Sequence, residues 1–144
     1  MNTLSIYQEK ILKLAAENKK SRPIVDYNCS FNMKNPMCGD EVQVRVDLIN
    51  KKINNISAIV RGCALCEASA GLVVQLFKNN SVPHNDFMKE FLFWLNNNGQ
   101  EINSSLPKEL EIFLPIKEIS NRHTCITMPF EATIKSLKST NKEN

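Results

Sequence analysis

The sequence predicts an α+β domain, a small antiparallel three-stranded sheet with helices packed on one face. Three observations lead there. Three successive segments alternate apolar with polar residues, the period turns helical after Gly62, and every later apolar segment keeps that helical period. Strict alternation gives each strand one buried and one wet face, which favours antiparallel pairing.

Residues 3–18 read as the first helix. Leu4, Tyr7, Ile11, Leu14 and Ala15 recur at helical spacing, Gln8, Glu9, Lys10, Lys13 and Glu17 face out, and Ser21-Arg22-Pro23 ends it. In the strand over 27–33, Tyr27, Cys29, Phe31 and Met33 alternate with Asn28, Ser30 and Asn32. In the strand over 41–49, Val42, Val44, Val46 and Leu48 alternate with Glu41, Gln43, Arg45 and Asp47. Asn50-Lys51-Lys52 turns the chain into a third strand over 53–61, carried by Ile56, Ala58 and Val60.

A helix over 64–77 follows, with Leu65, Ala68, Leu72, Val73, Leu76 and Phe77. Its small cluster Ala68-Ser69-Ala70-Gly71 permits close packing. The next helix spans roughly 84–97 on Phe87, Phe91, Leu92, Trp94 and Leu95, closed by Asn96-Asn97-Asn98-Gly99. A short helix is expected around 107–112, with a loop at Pro115 and Ser120-Asn121. The last helix is expected over 126–138, with Pro129 in its first turn, where a missing N–H costs little. The polar tail Ser139–Asn144 is expected to fray.

Length and composition fit a single domain over residues 1–144, since a chain of this size can bury about two-thirds of its unfolded surface. No apolar run reaches the roughly 20 residues that cross a bilayer. Met1–Lys10 lacks the basic and apolar regions of an export signal, so the expectation is a cytoplasmic protein with no membrane partner. The net charge of +3 is spread out, with only Lys19-Lys20 and Lys51-Lys52 adjacent. Nucleic acid, which selects for clustered basic residues, is not an expected partner.

Five cysteines, at 29, 38, 63, 66 and 125, are the unusual feature. An odd count without an export signal points to metal or thiol chemistry rather than a disulfide framework. Cys29 alternates with Tyr27 and Phe31 on an apolar strand face and reads as a core residue. Cys38 sits in the turn Asn35-Pro36-Met37-Cys38-Gly39-Asp40, poor company for a core residue. Cys63 and Cys125 each open a helix, where the positive end of the helix dipole favours thiolate over thiol. Gly39 can take the positive φ that bends Cys38 and Asp40 toward one point. With Cys63 and Cys125 the set is three sulfurs and one carboxylate, enough for a tetrahedral zinc site whose releasable leg is Asp40. His84 and His123 read as surface or helix-end residues, with a supporting role behind Cys125 open for His123. A rival reading takes Cys63-Ala64-Leu65-Cys66 as the strand–CxxC–helix of a dithiol redox protein. Against it, thioredoxin-type motifs sit in a parallel βαβ unit, and Gly62 stands where their usual Trp precedes the first Cys.

Three motifs in order, Asn-Pro-Met-Cys-Gly-Asp (35–40), Gly-Cys-Ala-Leu-Cys-Glu-Ala-Ser (62–69) and Arg-His-Thr-Cys (122–125) followed by Pro129, resemble the U-type iron–sulfur cluster assembly proteins, the NifU N-terminal, IscU and SufU group. The resemblance covers nearly the whole chain. The long span from Cys63 to Cys125, Thr124 in place of the His found in IscU, and Arg122 three positions upstream of Cys125 bring it closest to the SufU branch. The resemblance implies metal ligation by Cys38, Asp40, Cys63 and Cys125, with zinc as the ion, or alternatively iron or a transient [2Fe-2S] cluster. It implies persulfide sulfur received from a PLP-dependent cysteine desulfurase of the SufS type, contact with other SUF assembly proteins, and a sulfur carrier rather than a turnover enzyme. Cys38 falls where that branch places its sulfur acceptor, whereas in the IscU branch the acceptor falls on the position of Cys125. Arg122 becomes a candidate for assisting ligand exchange with the desulfurase. One residue departs from the pattern. At Cys66 the family usually has a small non-thiol residue, often Ser, so Cys66 is an auxiliary thiol or a buried bystander.

Overall fold

The computed structural model describes residues 3–99 and 101–139. In chain order it contains α1 (Thr3–Lys19), β1 (Cys29–Lys34), β2 (Glu41–Ile49), β3 (Lys52–Arg61), α2 (Ala64–Phe77), β4 (Asn80–Ser81) and α3 (Phe87–Asn96). Two 3-10 segments, Lys108–Ile116 and Ser120–Arg122, precede α4 (His123–Ser139). The architecture is α+β, but the sheet has four strands rather than three, in the order β1-β2-β3-β4 and antiparallel throughout. The added β4 pairs only Asn80 and Ser81 with Ile53 and Lys52. Two polar residues carry no alternation, so periodicity could not reveal it. Backbone placement makes the strand, as Asn79 takes positive φ and its N–H donates to the Ile53 carbonyl (2.7 Å).

The helix-facing side of the sheet is carried by Val42, Val44 and Val46, each at most 2% exposed. Ile53 and Ile56 are both buried although three positions apart, out of step with a two-residue period. A bulge explains this: Asp47 pairs with Asn55 but Leu48 with Ile53, leaving Asn54 as the extra residue. The β2–β3 loop is Asn50-Lys51, both at positive φ as a type I′ hairpin turn requires.

On the outer face, Arg45 stacks over Tyr27 (4.6 Å to the ring centroid) and donates to the Ile24 carbonyl (3.0 Å). The segment between α1 and β1 is thereby strapped across the sheet. On the helical side, α1 and α2 meet where Gly71 allows it: a Cβ there would lie 3.0 Å from the Leu14 carbonyl oxygen. Asn18 ties α1 to both neighbours, its Nδ2 donating to the Ala58 carbonyl (2.9 Å) and to Glu67 Oε2 (3.4 Å). Phe77, Phe87, Phe91 and Phe130 pack edge-on and stacked with centroids 5.2–6.2 Å apart. Ile11 and Ala15 of α1 are buried as expected, whereas the Leu4 side chain lies outside the described residues.

Several boundaries differ from the sequence reading. The helix over 84–97 is shorter, with Asp86 as its N-cap, and Leu92 lies on its outer side, 41% exposed. Pro115 lies inside a 3-10 run rather than marking a loop. α4 starts at His123, three residues early, so Pro129 falls beyond the first turn. Without an N–H, Pro129 cannot serve the carbonyl of Cys125 four positions back. Ser139 does not fray: its hydroxyl donates to the Ser136 carbonyl (2.6 Å). The remaining tail, 140–144, lies outside the described residues. Among the described residues, no helix is long and apolar enough to cross a membrane.

Candidate metal centre

Three structural junctions converge at one end of the sheet. The first is the β1–β2 loop. Asn35 organises it: its carbonyl accepts from Gly39 N–H (2.7 Å), its N–H donates to the Asp40 carbonyl (2.8 Å), and its Oδ1 accepts from Met37 N–H (3.0 Å). Gly39 adopts φ +81°, a left-handed conformation that turns the loop between Cys38 and Asp40. The second junction is β3 into α2, where Cys63 is the N-cap. The third is the first turn of α4, which carries Cys125.

The ligand atoms of Cys38, Asp40 and Cys125 all lie within 4.8 Å of one another. Asp40 and Cys125 are buried, and Cys38 is exposed. Cys63 joins through Asp40. Its thiol lies 3.3 Å from Asp40 Oδ2, and its backbone N–H donates to Asp40 Oδ1 (3.2 Å). Gly62 makes that approach possible, because a Cβ at this position would sit 2.5 Å from the Asp40 carboxyl carbon. Glycine here is demanded by contact with a side chain, not by a turn.

The protonation chemistry follows from burial and crowding. Burial first, then a hydrogen bond with Cys63 and the negative charge on Cys63, Asp40 and Cys38, pushes the Cys125 thiol up to about 12. Cys66, fully buried on α2 just beyond Cys63, is pushed up as well, by burial and then by Asp40, Cys63 and Cys125. Several acidic groups within reach of one another raise each other's proton affinity, and a bound cation reverses that logic by deprotonating coordinating thiols. The donor set fits such a cation. Cys38, Asp40 and Cys125 offer two thiols and a carboxylate to one point, and Cys63, in contact with Asp40 though outside that trio, is the fourth donor a tetrahedral zinc site would need; thiolate also suits iron.

The other flagged residues lie in different settings. Cys29 is a buried β1 residue, 2% exposed, as the alternation implied. Arg122 is exposed, and none of the ion pairs among the described residues involves it. His123 is a brace rather than a free helix end. Its buried Nε2 donates to the carbonyls of Lys117 (2.8 Å) and Ile116 (3.2 Å), tying the 3-10 run to the start of α4. His84 is a surface residue whose Nε2 pairs with Glu90 at 2.7 Å. Sequence reasoning missed Gly62, which was legible only as the end of a strand, and the bracing by Asn35. β3, which leads into Cys63, pairs antiparallel on both of its edges, unlike the parallel surroundings of a thioredoxin-type motif.

An antiparallel sheet backed by helices, with three cysteines and an aspartate gathered at one end, defines a small thiol-rich α+β domain able to hold a metal ion. The chain belongs to the NifU-like N-terminal domain family, whose model matches residues 6–91. It is 21% identical over 137 residues to the zinc-dependent sulfurtransferase SufU of Bacillus subtilis (strain 168), covering 94% of this chain and 92% of that one. Two crystal structures share the fold. A NifU-like protein (N-terminal) from Brucella abortus superposes with a TM-score of 0.82 at 17% identity over 96% of both chains. A protein of Fervidobacterium islandicum AW-1, described as an iron–sulfur cluster assembly scaffold for the SUF system, gives 0.72 at 22% identity, over 94% of this chain and 99% of its own.

Proposed function

We propose that this chain is an iron–sulfur cluster assembly protein that binds zinc through Cys38, Asp40, Cys63 and Cys125 and accepts persulfide sulfur at Cys38. The donor is a PLP-dependent cysteine desulfurase of the SufS type. One observation carries the reading: within a cluster of ligand atoms less than 4.8 Å apart, one thiol is exposed while its companions are buried. A sulfur acceptor must meet a partner's side chain, and Cys38 is the most exposed of the three cysteines, Cys63 being half-buried and Cys125 buried. The name of the Bacillus relative, a zinc-dependent sulfurtransferase, supports the same reading.

Bound zinc would hold its cysteine ligands as thiolates at neutral pH and tie the three junctions together. The remaining chemistry belongs to the chain. The Cys38 sulfur attacks the terminal sulfur of the desulfurase persulfide, forming a new S–S bond at Cys38. The S–S bond on the donor breaks, and its cysteine leaves as a thiolate that takes up a proton. Asp40, held by the Cys63 N–H and lodged against Gly62, keeps the buried side of the site closed while Cys38 reacts. Arg122, exposed immediately before α4, is available to a carboxylate of the partner.

The test is desulfurase turnover with wild-type chain and with Cys38→Ser, together with intact-mass analysis. The wild type is expected to gain the mass of one sulfur atom and to accelerate turnover. Cys38→Ser is expected to do neither, a loss of at least tenfold in stimulation (about 1.4 kcal/mol). Undiminished stimulation by the variant would remove Cys38 from the acceptor role.

A further inference from the structure

Away from the metal centre, α3 carries an apolar surface that the fold does not use. Phe87, Phe91, Trp94 and Leu95 supply its buried face. Leu92 is nevertheless 41% and Phe93 56% exposed, and no other two consecutive large apolar residues are exposed among the described residues. With Trp94 and Ile102 they line a cavity of about 780 Å³ between α3 and the segment that follows it. A second cavity of about 520 Å³ adjoins the first, sharing Trp94, Glu101 and Ile102 and adding Leu114 and Pro115. Together they make one groove with an apolar floor. Its walls are pinned in place. Ser105 Oγ donates to Glu90 Oε1 (2.5 Å) and to Asn103 Oδ1 (2.9 Å), holding the following segment against α3. Lys117 Nζ donates to the Asn97 carbonyl (3.1 Å) and lies over the Trp94 ring (4.6 Å to the centroid), holding the 3-10 run against the end of α3. The rim is acidic. Asp86 and Glu101 border the first cavity and Glu111 and Glu118 the second, and none of the ion pairs among the described residues involves them. Lys89 is the opposing cation of the first cavity, and Lys117, already engaged, that of the second. In a chain whose net charge is +3, this groove is a local concentration of negative charge beside exposed apolar side chains.

We propose that this groove docks a basic amphipathic helix of another protein, with apolar side chains on Leu92 and Phe93 and lysines or arginines against the acidic rim. The complementarity of charge names the partner's chemistry. The wall of the groove sets its form: the backbone of α3 is bonded within the helix, so the wall offers side chains rather than a strand edge, the setting for a helix in a groove. A second copy of the chain is the poorer occupant, because one patch meeting a different patch propagates into open chains. An anionic membrane surface would be repelled by the same carboxylates. The groove shares no residue with the proposed metal ligands. β4, which leads into α3, joins β3 at Lys52 and Ile53, the opposite end of that strand from Cys63 and about 30 Å along it. A partner seated there leaves Cys38 accessible, and the inference stands whether or not the centre holds zinc.

The probe is a synthetic amphipathic helix of leucine and lysine, free of tryptophan, compared with its leucine–glutamate counterpart. Trp94 is the chain's single tryptophan and lines the groove, so its emission reports occupancy, while anisotropy of a labelled peptide gives the affinity. The lysine peptide is expected to shift that emission saturably and the glutamate peptide to leave it unchanged. Phe93→Ser and Glu101→Lys are each expected to weaken binding at least tenfold. Val25→Ser and Glu9→Lys, exposed outside the groove, are expected to match the wild type. Phe93→Ser is expected to unfold at the wild-type urea concentration, which separates lost docking from a lost fold. Chelator is expected to leave the affinity unchanged, which keeps the result apart from the metal centre. Equal affinity for wild type and Phe93→Ser, or an equal loss with Glu9→Lys, would overturn the docking site. So would self-association in sedimentation, or adsorption to phosphatidylglycerol vesicles, that Phe93→Ser abolishes, since either assigns the exposed pair to a different occupant.

Discussion

Glu67 is a carboxylate at a buried position, 5% exposed, where α2 faces α1. Burial raises its proton affinity above the ordinary carboxylate value, and the hydrogen bond from Asn18 together with Lys19 opposes that rise. The folded chain thus holds this proton more tightly than the unfolded chain. The resulting stability is fully present below the unfolded value, near 4.5, and is lost as pH rises through the higher folded value. Glu67→Gln keeps an acceptor for Asn18 Nδ2 and removes the buried charge. It is expected to be more stable than wild type at pH 7 by about 1 kcal/mol, with the gain vanishing near pH 4. Urea unfolding at both pH values measures this, and an equal gain at both would contradict the burial argument. The cysteines illustrate the same principle. Sequence neighbourhood separated Cys29, in an alternating strand, from Cys38, in a turn, but only packing showed that Cys66 is fully buried.

Each functional side chain is positioned by the end of an element, and the junctions hold one another in place. The β3–α2 junction is the tightest, since Gly62 and the Cys63 N–H together clamp Asp40. Gly62→Ala would drive a methyl group into the Asp40 carboxylate, and the carboxylate rather than the strand must yield. The variant is expected to lose about 1–3 kcal/mol of stability and to bind metal at least tenfold more weakly. Chemical unfolding and chelator competition report the two effects. An unchanged metal affinity would mean that Asp40 does not depend on this contact. His123 does comparable work at α4: by donating to the carbonyls of Ile116, the last residue of the 3-10 run, and of Lys117 just beyond it, it ties that run to the helix start that carries Cys125. That bond spans six and seven positions and has no periodic signature, which is why the helix was expected to begin later.

At the scale of the molecule, the centre gathers three segments whose residues are far apart in the chain, so occupancy and stability are linked. Saturating zinc at about 100 times its dissociation constant is expected to add roughly 2.7 kcal/mol to unfolding, and chelation to remove it. The pH dependence carries opposite signs in the two states. In the metal-free chain the Cys125 thiol, held up to about 12 against an ordinary 9.0, makes the folded state bind more protons. Stability then falls as pH rises above about 9. Metal binding instead releases those protons, so zinc affinity rises with pH. Melting curves of chelated and zinc-loaded protein between pH 7 and about 10 test both signs. A chelated protein that melts no earlier than the loaded one would show that the centre does not link the segments.

The sequence by itself determined the fold class, three of the four strands, the order of the helices and the chemical identity of the cluster. Alternation, helical period and motif chemistry are local properties carried by runs of neighbouring residues. Tertiary structure decided the rest. Two polar residues became a fourth strand because Asn79 and Asn80 met Ile53 and the adjoining edge of β3, a bulge at Asn54 brought Ile53 and Ile56 to one face, and Gly62 proved necessary because Asp40 presses on it. The physical reason is range. A strand edge, a clash and a shared ligand point are contacts between residues remote in sequence, and their distances exist only once the chain has folded.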